Sequence, residues 1–285
     1  MYSYSILNFF IFIFMDYNCC ICGTVRNCGQ YLDKVIKNIL KISTLFKRYE
    51  IIIYYDHSTD NSLELLKYYS SKIKHMKFFQ NKSVLSKFRT HNLANARNFL
   101  LNYVKKNREK FDFFIMMDMD DVNCKDCDKN VLKYYLDRKD WDGLSFNTNP
   151  MYYDIWALSK QPFTFSYNHF PNNIIYHRLI GNYIDTLLKK LPENKLLSCI
   201  SSFNGFSIYR THKFMNTVYN GYPKPDLLPN HLLNKHKKIM NSDLIYKIYP
   251  NIDGRVEDCE HRVFHILAIK NSHAKIRISP KILFK

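Results

Sequence analysis

Asp118, Asp120 and Asp121 close an apolar run, Phe111-Asp-Phe-Phe-Ile-Met-Met117, and the first two stand two residues apart. Side chains two apart on an extended strand point the same way, so both carboxylates face one pocket. Charges of like sign held that close repel unless something cationic lies between them. A hard divalent cation, Mn2+ or Mg2+, suits the pair, because it takes a few carboxylate oxygens and completes its shell with water and substrate phosphates. A solvated acidic turn is the blander alternative. Further acids stand at Asp56 and Asp60, after the apolar run Glu50–Tyr55, and at Glu257 and Asp258. A helix amino terminus by itself attracts acids such as the last two.

These groups need a frame, and the hydrophobic pattern supplies one. Asn18–Thr24 is a short strand in which Cys serves as a small hydrophobe. Tyr31, Val35, Ile36, Ile39 and Leu40 recur at helical spacing. Glu50–Tyr55 is a continuous apolar run and so a strand buried on both faces. Asp56-His-Ser-Thr-Asp60 offers a cap to a helix over about 61–70. Strands over 76–79 and 111–117 with a helix over about 90–105 between them complete the order βαβαβαβ. That order predicts an α/β domain with a mostly parallel sheet flanked by helices. Ligands of such sheets bind beyond the carboxyl ends of the strands, where the clusters at 56–60 and 118–121 both fall. Beyond a strand over 141–146 the pattern predicts a helix over 173–190, a strand over 201–209, a Pro-rich loop over 221–230, a helix over 259–270 and a strand over 275–279.

Other chemistries are excluded. No two of the 7 glycines stand one residue apart, so neither a GxGxxG fingerprint nor a GxxxxGK[ST] phosphate loop exists. GxSxG and HExxH are also missing. Cys124 and Cys127 form a lone CxxC, half of a structural zinc site. The crowded, uneven spacing of all 8 cysteines does not read as a secreted disulfide framework, so a reducing compartment is expected.

Four segments together resemble family 2 nucleotide-sugar glycosyltransferases. Tyr54-Tyr-Asp56-His-Ser-Thr-Asp60-Asn-Ser62 is similar to that family's DDGSTDNS, with Tyr55 for the first Asp and His57 for Gly. Asn95-Ala-Arg97-Asn98 resembles AARN, Met117-Asp-Met-Asp-Asp121 resembles LDADD, and Glu257-Asp258, with a helix and strand after it, resembles the ED segment. The resemblance spans about 18–280 and implies a single Rossmann-like domain of GT-A type with an acceptor-side C-terminal part. It implies transfer of a sugar from a UDP- or GDP-sugar to a glycan or protein hydroxyl, with inversion and with Mn2+ or Mg2+. By the same analogy Asp56, Arg97 and Asp118 contact the donor, joined by Thr24 and Arg26. Asp118 and Asp120 hold the metal, with His265 as a candidate third ligand. Asp258 would be the base that deprotonates the acceptor, and Glu257 its neighbour in the catalytic pair. The departures at Tyr55 and His57 leave the donor's base and sugar open.

The chemistry agrees with those roles. Breaking a sugar–phosphate bond leaves negative charge on a nucleoside diphosphate, which a bound metal stabilises. A carboxylate in reach of a hydroxyl accelerates its attack by roughly 10²- to 10⁴-fold. The formal charge of +17 would attract an anionic small substrate as readily as nucleic acid. The basic residues are spread out apart from short runs such as Lys235–Lys238, and the abundance of Lys, Asn, Ile, Tyr and Phe is what AT-rich codons would produce in any protein. Nucleic acid is therefore not expected as partner. A sugar-phosphate nucleotidyltransferase and a non-catalytic basic binding protein are the alternatives. The division expected is 1–15, a short apolar segment; 16–146, a nucleotide-sugar-binding half; and 147–285, an acceptor-binding and catalytic half. Ile6–Phe14 is too short for an ordinary membrane helix, which needs about 20 residues. Membrane association is expected to be weak or absent, Met15 is a candidate start, and the expected location is the cytoplasm, a host's if the AT-rich source is viral.

Overall fold

The computed structural model describes residues 16–246 and 257–285, so the expectations for Ile6–Phe14 and Met15 fall outside the described residues. The chain alternates through β1 (Asn18–Val25), α1 (Gly29–Ser43), β2 (Arg48–Tyr55), α2 (Ser62–Lys72), β3 (Met76–Gln80), α3 (Arg89–Lys106) and β4 (Phe113–Asp118). It continues through α4 (Lys129–Leu136), β5 (Gly143–Asn147), α5 (Asn173–Lys190), β6 (Leu197–Ser198), β7 (Phe206–Arg210), α6 (Asn230–Met240), α7 (Glu260–Ser272) and β8 (Ile276–Ile282).

Strand parity explains the continuous apolar runs. Cys19, Ile21, Ile51, Ile53, Phe113 and Ile115 enter one core with Val35, Ile36 and Ile39 of α1. The intervening Cys20, Cys22, Ile52, Phe114 and Met116 enter a second core with Leu100 and Leu101 of α3 and Phe264 of α7. Both faces are thus covered, and an alternating polar pattern would leave polar groups buried. The same parity puts Asp118 on the α3 side of the sheet.

One eight-stranded sheet runs β3-β2-β1-β4-β7-β5-β8-β6. The strands β3, β2, β1 and β4 are parallel, while β7 is antiparallel to both β4 and β5. Beyond β4 the sheet is therefore mixed. The cause is the chain's path, because the excursion between β5 and β7 starts and ends at the carboxyl edge. Phe206, the first residue of β7, pairs with Met117 near the end of β4, so β7 has to run back down. Because β5 lies between β7 and β8, the two halves expected on either side of residue 146 share one sheet.

Two helices were not anticipated, α4 and α6. The strand expected over 201–209 begins only at Phe206, because Asn204 and Gly205 adopt left-handed backbone (φ 57° and 79°) and break the extended run.

Candidate functional site

A cavity of about 360 Å3 opens beyond the carboxyl ends of β1, β2 and β4. Thr24, Arg26, Asp56, Asp118 and Asp120, assigned from sequence to donor or metal, all line it. Two loops that contribute to its lining, after β1 and after β2, are tied to each other. Asn27, in left-handed backbone (φ 53°), donates its N–H to Ser58 Oγ and accepts one from Thr59. Asp60 was expected to cap α2, and one oxygen does accept the Ser62 N–H. Its other oxygen accepts the Gly29 N–H at 2.7 Å, and Ser62 Oγ accepts from Cys28, so the second loop also caps α1.

The two departures from the family motif have local explanations. Tyr55 points into the core, 4% exposed, and its hydroxyl accepts the Ser58 N–H, so it shapes the loop from behind. His57 is exposed and is not among the residues with positive φ, so this loop has no need of glycine there. Asp56 accepts from the His57 N–H and from Asn81 Nδ2, which fixes its carboxylate at the rim.

Arg97 was expected against the donor and is not among the pocket-lining residues. On α3 the pocket face is Arg89, Asn92, Leu93 and Ala96, and the next position turns about 100° away. Arg97 is therefore 2% exposed, donates to Asp118 Oδ1 at 2.6 Å, and pairs through its other nitrogen with Glu260 of α7. Its guanidinium lies 4.7 Å from the Phe203 ring centre. Arg97 thus acts on the pocket by holding Asp118.

Asp120 is the group at odds with its surroundings. Burial, followed by the charges of Asp118 and Asp121, pushes its carboxyl up to about 7, and its Oδ1 is buried without a hydrogen-bond partner. A buried acceptor left unpaired is costly unless something is to be bound there. A divalent cation answers both features, since it would pair the orphaned oxygen and offset the repulsion from Asp118. Asp118 and Asp120 offer carboxylate oxygens of the kind a hard divalent cation takes, although among the described residues no group of three or more His, Cys, Asp or Glu comes together to hold one.

Three expectations for the C-terminal segment need correction. His265 is fully buried, with Nδ1 2.9 Å from Ser201 Oγ and Nε2 3.1 Å from Tyr209 Oη. Both ring nitrogens are occupied, burial pushes its pKa down to about 3, and it does not line the cavity, so it is a core histidine and not a metal ligand. Asp258 is 1% exposed and accepts from Arg262 Nε at 2.9 Å, while Arg262 also donates to the carbonyls of Trp156 and Leu158. Through Oδ2 Asp258 is an ion-pair partner joining α7 to the 151–160 loop, while its Oδ1, like that of Asp120, is buried without a hydrogen-bond partner. Glu257 accepts from both the N–H and the hydroxyl of Thr90, so it caps α3.

The Asp258 placement has a measurable consequence. Asp258→Asn keeps a hydrogen-bond acceptor and removes the charge facing Arg262, so denaturant unfolding should show a loss of about 1.5–3 kcal/mol. An unchanged unfolding midpoint combined with transfer reduced by orders of magnitude would restore the general-base role.

Sequence reasoning missed Arg89, Asn92 and Ala96, although their i, i+3/i+4 spacing on a helix entering the strand-end edge was a usable signal. It also missed Asp154, whose carboxylate accepts the N–H groups of Ala157 and Asn204, while Asn204 accepts those of Tyr153 and Asp154. That reciprocal clamp holds the exposed Tyr153 near Gly205, and no sequence spacing announces it. The pocket's thiol is inert, because burial pushes Cys28 up to about 11. Of the CxxC pair, Cys127 packs into the first core, and burial pushes it up to about 12. Among the described residues no helix is long and apolar enough to cross a membrane.

Residues 20–205 match the family model described as glycosyl transferase family 2. An uncharacterized glycosyltransferase of Mycoplasma genitalium is 28% identical over 110 residues, 38% of this chain and 33% of that protein. Among solved structures, S. aureus TarS in complex with UDP is 14% identical with a TM-score of 0.48, over 94% of this chain and 59% of that one. Mannosyltransferase PcManGT from Pyrobaculum calidifontis, in complex with GDP-Man and Mn2+, is 9% identical with a TM-score of 0.44, over 90% and 70%. The chain thus covers a third of its curated relative and about three fifths of the TarS fragment.

Proposed function

The chain belongs to glycosyl transferase family 2, and on that premise we propose that it transfers a sugar from a UDP- or GDP-sugar to a glycan or protein hydroxyl, with inversion and with Mn2+ or Mg2+ bound. The observation that carries this reading is the orphaned Asp120 oxygen beside Asp118 in a strand-end pocket that also contains Arg26 and Arg89. Carboxylates alone would repel a diphosphate. Paired with a cation and flanked by two guanidiniums, they make a site for one.

Asp118 and Asp120 would hold the metal, whose Lewis acidity stabilises the charge left on the departing nucleoside diphosphate. Arg97 keeps Asp118 in place, which fixes one half of the site before any ligand arrives. Arg26 and Arg89 line the same cavity and would add positive charge for the departing diphosphate. Asp56 and Tyr54 form the β2 side of the pocket, where a nucleobase would lie. With Asp258 and Glu257 both engaged by neighbouring side chains, they serve here as supports for α7 and α3. The eight cysteines are all free thiols, seven of them buried, which fits a reducing compartment such as the cytoplasm.

A thermal-unfolding screen of UDP, GDP and their sugars, each with and without Mn2+, tests the reading. Nucleotide and metal together should raise the midpoint more than the sum of either alone, since binding to the native state stabilises it. Turnover should release a nucleoside diphosphate, whereas released pyrophosphate would identify a nucleotidyltransferase. No shift with any nucleotide would sink the proposal.

A further inference from the structure

One corner of the molecule, made of residues that do not line the Asp118–Asp120 pocket, carries apolar side chains that the core does not use. The inner face of α5 is satisfied by Ile180, Ile184 and Leu188, all buried. Its outer face begins with Ile174 and Ile175, 75% and 65% exposed, and continues one turn on with the exposed Arg178 and Leu179. These four lie along one stripe at i, i+4 spacing. Such residues normally occupy a helix's buried side, so two adjacent isoleucines in water call for an explanation.

The stripe does not stand alone. Tyr176 of α5 donates its hydroxyl to the Met240 carbonyl, which brings the end of α6 beside the start of α5. After α6 the chain returns, with the Ile245 N–H donating to the His169 carbonyl at 2.7 Å just before α5. Ile245 is also mostly exposed, as is Ile239 at the end of α6 to a lesser degree. The outer side of α6 contributes the exposed Lys235 and Lys238. Of the acids here, the exposed Asp243 is paired with Lys237, and Asp226 lies close enough to Tyr246 to act on its hydroxyl.

We propose that this α5–α6 corner is a docking surface for an anionic lipid membrane, with the isoleucines entering the interface and Arg178, Lys235 and Lys238 meeting the headgroups. Exposed Ile and Leu beside a ring of Lys and Arg is the composition by which a helix lies in a membrane interface. Charge selects this occupant over a second copy of the chain. Each copy carries a formal +17 and presents lysines at the same corner, so two copies repel, whereas an anionic bilayer attracts both. None of the corner residues lines the strand-end pocket, so docking leaves it open. The proposal does not depend on the transferase reading.

Flotation of the full chain with phosphatidylcholine–phosphatidylglycerol vesicles, against pure phosphatidylcholine vesicles, tests it. The protein should partition onto the anionic vesicles and release as salt rises. Ile174→Ser with Ile175→Ser should reduce partitioning by about tenfold or more, as two large apolar side chains are lost to the interface. Lys235→Gln with Lys238→Gln should reduce it by about thirtyfold, as expected for two cations near a charged surface. Because every replaced side chain is exposed, unfolding midpoints should stay at the parent value, which separates docking from misfolding. The proposal fails if the parent protein floats with neither vesicle. It fails equally if the isoleucine variant floats like the parent, which would place any membrane affinity elsewhere in the chain. A change from dimer to monomer in the isoleucine variant would make the surface an interface between copies and overturn the lipid assignment.

Discussion

Asp120→Asn should lower sugar transfer by at least about 10²-fold while making the metal-free protein more stable above neutral pH. The first effect follows from charge, since an amide oxygen is a much weaker ligand for a hard cation and cannot offset the charge of a departing diphosphate through it. The second follows from the raised pKa. In the folded chain burial and the neighbouring Asp118 and Asp121 hold the Asp120 proton until about pH 7, against an ordinary 3.8. Between those values the native state binds a proton that the unfolded state has lost, so stability falls as pH rises through that window and the full penalty is present above it. Each unit of displacement is worth about 1.4 kcal/mol. The variant should therefore match the parent near pH 4 and exceed it by about 2–4 kcal/mol at pH 8, read by denaturant unfolding in EDTA. Adding Mn2+ should stabilise the parent more at pH 8 than at pH 6 and leave the variant unmoved. Equal donor affinity for the two proteins in the presence of Mn2+ would show that Asp120 does not hold the metal.

A residue whose burial weakens the fold is the kind that sequence shows best. Asp118 and Asp120 close a run of buried apolar residues, where a carboxylate has no packing reason to stand. The N-terminal frame was legible for a related reason, since continuous apolar strands separated by helical periodicity leave few topologies open. What lay hidden was whatever depends on two distant elements meeting. Arg97 was legible as a site residue, but its direction was not, because the turn between Ala96 and Arg97 changes its partner from the cavity to Glu260, 163 positions along the chain. Asp258 was legible as a functional acid by motif, yet its partner Arg262 is anchored by carbonyls at 156 and 158, a loop with no regular period. The antiparallel β7 was missed as to direction because strand polarity is decided by where the preceding excursion ends, and neither composition nor periodicity encodes that.

The ion network around Arg97 gives the second large effect. Arg97→Met removes a 2%-exposed cation from between two carboxylates, one of which, Glu260, is almost wholly buried. Breaking a buried pair from one side typically costs about 3–5 kcal/mol, chiefly because the partner is left charged and dry. Adding Glu260→Gln should then recover most of the loss, since the amide carries no charge to strand, and a double-mutant cycle would show strong coupling between the two. Donor affinity should behave differently. Asp118 loses its 2.6 Å contact in both variants, so nucleotide binding with Mn2+ should stay weak even where stability has returned. That split distinguishes a residue that only holds α3 to α7 from one that also aims Asp118 at the ligand. If stability and donor affinity recovered together, Arg97 would be a structural tie alone, and the rigidity of Asp118 would have to come from the Gly205 carbonyl that accepts its N–H and from Asn123, which donates to its carbonyl.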